Sequence, residues 1–300
     1  MIHRLSGMQP RDRLRSNMVD PVDALLAVHG FSGAWTTLTA TGLANRIYAT
    51  ANVVLRVATD HPEAVSDART ESVAAPAARE AGILTPRLLA FDDSRTLVDR
   101  PFSIWERIHG KTVGSAGFDG RQRTTVWYAI GQEIAQLHSR VRVCPDPLGY
   151  LDAPGYELNL GPTVARLVDT GAASPELARE IARFLDELTP YMSVADHERC
   201  FVHNDLHEMN VMCTPAGALL ALIDWGDAGW GDPAFDFVAA PLAMMSAAFD
   251  GYGRANRQRL GSFPEARIIW AKLHDAMDDA IDQPGTAIPL TLFRRFLDHR

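Results

Sequence analysis

The most constraining stretch of this chain is a pair of short apolar runs, Val211-Met212 and Leu219 to Ile223, with polar side chains set at their edges. Apolar runs of this length read as the two strands of a hairpin. Before the first run stands His203-Asn204-Asp205-Leu206-His207-Glu208-Met209-Asn210, with the spacing HxDxxxxN. After the second comes Asp224-Trp225-Gly226, so Asp224 follows Asn210 by fourteen residues. A hairpin aims Asn210 and Asp224 from a rigid support instead of a loose loop.

The rest of the chain divides around residue 108. Trp35 to Thr41 alternates and is rich in threonine, Arg46 to Thr50 and Asn52 to Val57 follow, and glycine or asparagine separates these runs. Those are antiparallel strand signals. Leu88 to Phe91, Thr96 to Val98 and Phe102 to Ile108 read as further strands. Ser66 to Ala81 is alanine-rich and helical in tendency, and Pro76 is expected to break it in two. Beyond His109-Gly110 the period becomes helical. Val126, Ile130, Ile134 and Leu137 share a stripe on Arg121 to Arg140. Ser174-Pro175-Glu176 is a helix start, and Leu177, Ile181, Phe184, Leu185 and Leu188 form its apolar stripe. Arg267 to Ile281 and Leu290 to Leu297 read as the last helices.

The chain has 300 residues, 47% hydrophobic and 22% charged, with a formal net charge of −8. That is a globular composition large enough for two modest lobes. The acidic balance argues against a nucleic-acid partner, is compatible with a cationic ligand, and is also simply what keeps many proteins soluble. Cys144, Cys200 and Cys213 are widely spaced, so neither a disulfide framework nor a zinc site is expected and a reducing cytoplasm fits. Residues 1–20 carry Arg4, Arg11, Arg13 and Arg15 without an apolar core, which reads as a polar leader and not a secretory signal. The longest apolar stretch, Phe237 to Phe249, contains Pro241 and is too short for a bilayer.

Asp205, Asn210 and Asp224 suit phosphoryl transfer. That reaction needs a hydroxyl placed in line and the phosphate charge neutralised, with little covalent help from protein. A carboxylate such as Asp205 can orient a hydroxyl and accept its proton. An amide oxygen and a second carboxylate can hold Mg²⁺, a hard cation that prefers oxygen. His203, Asp205 and His207 also make an HxDxH cluster, which is the alternative of a metal hydrolase.

His203 to Asn210, together with Ile223-Asp224-Trp225-Gly226-Asp227 and Gly231-Asp232-Pro233-Ala234-Phe235-Asp236, resembles the aminoglycoside phosphotransferase family. That family is similar in fold to the protein kinases and includes choline, homoserine, macrolide and sugar kinases. The resemblance runs from about residue 35 to about residue 250. It implies an α+β, two-lobed, protein-kinase-like fold: a β-rich N-lobe over 21–108 that binds nucleotide, and a larger helical C-lobe over 109–300. It implies Asp205 as the catalytic base, Asn210 and Asp224 as metal ligands, and Asp236 as a brace for the catalytic loop, with His203 a structural prop. Asp232 reads as a plain helix N-terminal acid.

In the nucleotide half, Val53-Val54-Leu55-Arg56-Val57 matches the strand that grips the phosphates, with Arg56 where a lysine is commoner. Arginine is a planar fork and lysine a point charge, so the phosphate geometry differs. The resemblance implies Glu71 as the partner of Arg56, with Glu80 as the fallback. Gly42 and Asn45 stand where the family has a reduced phosphate lid. The backbone of Glu106 to Ile108 stands at the hinge that reads the base, while Ile104 and Trp105 are equally at home in a core. Ala135-Gln136-Leu137-His138 resembles a helix end of the family, and His138 alone reads as a satisfied helix-end histidine.

The implied reaction moves the γ-phosphate of ATP or GTP, with Mg²⁺, onto a hydroxylated small molecule. Asp275, Asp278, Asp279 and Asp282 recur at helical spacing, as a solvated face or as a grip for an amine-bearing acceptor. A kinase-like module that binds ligand without turnover is the rival from another class. No Ala-Pro-Glu activation segment is present, which argues against a protein kinase. The acceptor and the oligomeric state have no readable motif.

Overall fold

The computed structural model describes residues 21–38, 44–192 and 197–298. The leader expected over residues 1–20 and the lid residue Gly42 lie outside the described residues.

Five strands form the first sheet: β1 (Thr36–Leu38), β2 (Asn45–Ala49), β3 (Val53–Ala58), β4 (Leu88–Asp92) and β5 (Phe102–Glu106). Their order is β1-β2-β3-β5-β4, with every pairing antiparallel. Strand alternation decides which side chains meet the core. On β3, Leu55 and Val57 are buried with Phe102 and Ile104 of β5, under helix α1 (Val22–Val28). Arg56 lies between them and points to the other face, where helix α2 (Pro62–Glu80) crosses.

Two expectations fail in this half. Pro76 does not break the helix; α2 runs unbroken through it. A mid-helix proline removes one backbone donor and costs about 3 kcal/mol, but Ala74, Ala75 and Ala78 around it are fully buried in the main core. Packing of that small-residue face outweighs the lost bond. Thr96 to Val98 is not a strand. Both ladder edges of β5 are already taken by β3 and β4. Arg95 adopts a left-handed φ of 59°, and local hydroxyl and carboxylate contacts hold the segment as a turn.

After residue 108 come β6 (Lys111–Thr112), α3 (Gly120–Arg140), α4 (Gly161–Asp169), α5 (Pro175–Met192), β7 (Cys200–Val202), β8 (Val211–Cys213), β9 (Leu219–Leu222), β10 (Gly229–Gly231), α6 (Met245–Tyr252), the single turn α7 (Arg254–Arg257), α8 (Pro264–Asp282) and α9 (Leu290–Asp298). Helix α3 starts at a capping box in which Asp119 and Gln122 satisfy each other's backbone N–H. It then buries Val126, Ile130, Ile134 and Leu137. Helix α6 crosses it at backbone distance: a Cβ on Gly131 would lie 2.0 Å from the Ala248 carbonyl oxygen, and one on Gly251 would lie 1.9 Å from that of Tyr128. Only glycine fits these two positions. A second core joins α4, α5, α8 and α9.

The expected hairpin is β8–β9, pairing Val211 with Leu222. It sits between the first sheet and α3. Among the described residues, no helix is long and apolar enough to cross a membrane.

Candidate active site

The site is built from backbone turns that flank the open end of the β8–β9 hairpin. Asn204 and Asp224 each adopt φ of 67°, the left-handed region that asparagine and aspartate tolerate best. The N–H of His207 donates to Asp205 O at 3.0 Å, and that of Asn210 donates to His207 O at 2.9 Å. These two bonds curl the 205–210 loop. The N–H of Ile223 then donates to Asn210 O at 2.9 Å, which sets Asp224 beside Asn210.

Asn210 Nδ2 donates to the Asp205 carboxylate at 2.8 Å and to the Asp205 carbonyl at 3.0 Å. Both of those groups accept only, so the facing atom is the amide nitrogen and the amide oxygen is left for another ligand. Burial and then the nearby charge of Asp227 raise the Asp205 carboxyl to about 7. A carboxylate in that range is suited to taking a proton near neutral pH.

Arg56 joins the two halves of the molecule. Its Nη1 donates to Glu71 Oε1 at 2.6 Å and its Nη2 to Asp224 Oδ1 at 2.7 Å. Burial works against the Arg56 charge, and the two carboxylates outweigh it, so its pKa lies above the ordinary value. Burial raises Glu71 to about 7 against the pull of Arg56. For Asp224 burial is again opposed by Arg56, and here the guanidinium wins and the pKa is lowered. The Nε of Arg56 is buried without a hydrogen-bond partner. Glu80, the fallback, is not in this contact; Glu71 is.

Arg56, Glu71, Asn210 and Asp224 line a cleft of about 460 Å³ between the first sheet and the hairpin, and Asp205 is tied to it through its bond from Asn210. Asn45, Val54, Arg56 and Glu71 come from one side, and Asn210, Ile223 and Asp224 from the other. Trp105, Glu106 and Ile108 close its inner end. Ile104 is core with no exposure, while Trp105 is held by a 2.8 Å bond from Nε1 to Ser103 Oγ. The donor set left open is all oxygen, the amide of Asn210 and one oxygen of Asp224, which fits a hard divalent cation. In the HxDxH cluster His207 Nε2 lies 3.6 Å from Asp205 Oδ2, but His203 Nε2 and His207 Nδ1 are engaged elsewhere. His203 Nε2 lies 3.0 Å from Ile223 O, and His207 Nδ1 accepts from Met209 N at 3.1 Å. Among the described residues no three His, Cys, Asp or Glu side chains are gathered to hold a metal.

Beneath the loop runs a buried chain. Asp236 Oδ1 accepts the N–H of Asn204 at 2.7 Å, and its Oδ2 lies 2.9 Å from His138 Nε2. His138 Nδ1 lies 2.9 Å from Tyr252 Oη. The side chains of Asp236 and His138 have no exposure. His138 is thus a satisfied core histidine that supports Asp236.

Asp232 caps Ala234 N at 2.9 Å, as a helix N-terminal acid should, but it also holds buried Arg267 at 2.6 Å and the Tyr156 hydroxyl at 2.8 Å. Glu208 escaped sequence reasoning. It takes Arg123 Nη2 at 2.7 Å and Trp127 Nε1 at 3.0 Å, fastening the loop to α3. Its place inside the HxDxxxxN spacing was the only available signal.

A family model described as the phosphotransferase enzyme family matches residues 36–278. No curated protein sequence matches significantly. Among solved structures, the GDP complex of a mutant aminoglycoside 2'-phosphotransferase-IIIa aligns with a TM-score of 0.66 at 12% identity, over 93% of this chain and 96% of that one. The streptomycin–ATP ternary complex of APH(2")-IIa aligns with a TM-score of 0.60 at 15% identity, over 98% and 97%. A putative aminoglycoside phosphotransferase from Ralstonia eutropha aligns with a TM-score of 0.57 at 19% identity, over 92% and 93%. At these identities the structures speak to fold alone, and the fold is the expected α+β arrangement of a β-rich N-terminal part on a helical C-terminal part. With a family match over most of its length and the same architecture throughout, the chain belongs to the phosphotransferase enzyme family.

Proposed function

We propose that this protein is a small-molecule kinase that transfers the γ-phosphate of ATP or GTP to a hydroxyl group. The observation that carries this reading is the meeting of Arg56, Asn210 and Asp224 at one cleft, with Asp205 bonded to Asn210 beside it, from strands and loops far apart in sequence. The base would lie against Val54, Trp105 and Ile108, read by the backbone of Glu106 to Ile108. Arg56, with its unpartnered Nε, would turn part of its charge from Asp224 to the phosphates while Glu71 keeps hold of Nη1. Asn210 and Asp224 would hold Mg²⁺, which supplies neutralisation of the phosphate charge when bound. Asp205 would orient the acceptor hydroxyl and receive its proton as the oxygen–phosphorus bond forms and the nucleoside diphosphate leaves.

The helical part holds a second cavity of about 1010 Å³, which shares no lining residue with the cleft. Asp275 and Asp279 of α8 line it, with Leu242, Phe293 and Phe296 as an apolar wall. Asp278 turns away to His274 at 3.3 Å. Lys272 and Arg295 line it as well, so its charge is mixed and does not by itself select an amine-bearing acceptor. Relatives of the same fold were solved with streptomycin and gentamicin. The three cysteines are free, which suits a reducing cytoplasm.

The test is transfer of labelled phosphate from ATP and GTP to a panel of hydroxylated amines, antibiotics and sugars, with Asp205→Ala beside the wild type. Asp205→Ala should lower turnover by about 10²- to 10⁴-fold, the usual scale for a general base, and leave nucleotide affinity nearly intact. Undiminished turnover would remove Asp205 from the chemistry.

A further inference from the structure

The connection from α3 to α4, residues 141–160, has no helix or strand of its own. Loops of that length inside a compact fold are uncommon and usually serve a purpose. This one is well fastened. Asp146 accepts the N–H groups of Tyr150 at 2.7 Å and Leu151 at 3.0 Å, which folds residues 146–151 into a tight turn.

From that turn the segment reaches in two directions. Towards α2, the Tyr150 carbonyl accepts the Thr70 hydroxyl at 2.5 Å, and the Arg69 guanidinium lies 5.6 Å from the centroid of the Tyr150 ring. Cys144 Sγ lies 3.5 Å from Val73 O on the same helix. Towards the loop that follows Asp224, Asp152 N donates to Ala228 O at 3.1 Å and Asp152 bridges to Gly229. A Cβ on Gly229 would lie 2.1 Å from Asp152 O, so the approach requires glycine.

Thr70 immediately precedes Glu71, the residue that holds Arg56. The Trp225 N–H also donates to the Glu71 carboxylate. One short segment therefore touches the helix that carries Glu71 and the loop that carries Asp224. Both ends of the Arg56 bridge are set from the same strap.

We propose that residues 144–152 form a strap that locks α2 against the helical part of the molecule, with Thr70 and Asp146 as positioning residues for the Glu71–Arg56 pair. On this account the phosphate grip is preformed and needs no switch to assemble it. The proposal rests on the kinase reading only for its consequence, that Arg56 meets phosphate.

Its test uses the full chain with Thr70→Val, Thr70→Ser, Asp146→Ala, Glu71→Gln and the double variant Thr70→Val/Glu71→Gln. Amide hydrogen exchange over residues 62–80 should quicken in Thr70→Val and Asp146→Ala and return to the wild-type rate in Thr70→Ser, whose hydroxyl is kept. Affinity for MgATP or MgGTP should fall about five-fold in Thr70→Val, the size of one hydrogen bond. In the Glu71→Gln background the same change should cost almost nothing more, because Thr70 acts through Glu71. Unchanged exchange in both strap variants, or a full additional loss in the double variant, would overturn the proposal. If the wild type bound no nucleotide, the kinase reading would fail, and the exchange measurement would still decide the strap.

Discussion

At the residue scale, the groups around the cleft carry opposed electrostatic demands, and the balance differs at each one. Asp224 is held as an anion by Arg56, whereas Asp205 and Glu71 are both raised to about 7 by burial. Lys272 shows the same competition away from the cleft. Burial lowers it from 10.5 to about 8 while Asp275 pulls the other way, and its Nζ donates to Ala240 O at 2.7 Å. Between about pH 8 and pH 10.5 the unfolded chain binds this proton and the folded chain does not. Stability from this group therefore rises with pH across that window, and below pH 8 the full penalty of the buried charge is present. Denaturant midpoints measured from pH 7.5 to 10.5 should rise more steeply for the wild type than for Lys272→Met. Equal slopes would remove Lys272 from the balance.

At the element scale, α3 and α6 meet backbone to backbone, because two glycines let the helices approach that closely. Gly131→Ala would place a methyl 2.0 Å from Ala248 O. Backbone cannot yield as a side-chain tip can, so a loss of about 1–3 kcal/mol is expected, the range for overpacking. A chemical melt reads it, and a wild-type midpoint would mean the helices can slide apart freely. Because α6 also carries Tyr252, which ends the chain through His138 to Asp236, the same substitution should slacken the loop before Asp205.

The geometry of the hairpin was legible because Asp205, Asn210 and Asp224 lie within twenty residues and one turn of strand pairing brings them together. Arg56 could be placed on β3 from its alternating neighbours, but its contact with Asp224 joins residues 168 positions apart, and no local period encodes that. Pro76 misled for the opposite reason: the local penalty was real, and burial of Ala74, Ala75 and Ala78 overrode it. The Asp236–His138 pair was likewise invisible as a pair: Asp236 is expected to brace the catalytic loop and His138 to be a satisfied helix-end histidine, and nothing local joins them.

At the scale of the whole molecule, the two halves meet across a surface crowded with carboxylates. Asp67 of α2 packs on Gly226, where a Cβ would lie 2.7 Å from that of Asp67. Burial and then the charges of Asp227 and Asp224 raise Asp67 to about 7, and burial with Asp224 raises Asp227 to about 6. Among the described residues, Arg56 is the arginine that offsets this crowd at Asp67 and Asp224. A divalent cation brought in with a triphosphate would add positive charge where the repulsion is greatest, so binding should tighten the two halves together. A ligand at 100 times its dissociation constant stabilises the folded state by about 2.7 kcal/mol. For a chain of this size that corresponds to a rise in melting temperature of roughly 4 °C. The rise should appear with MgATP or MgGTP, vanish with a chelator, and vanish in Asp224→Ala, which keeps the Arg56–Glu71 pair but loses the proposed metal ligand. A shift that persisted undiminished in the chelator or in Asp224→Ala would mean that nucleotide is held by the N-terminal half alone, and the convergence of the two halves on a common metal would have to be given up.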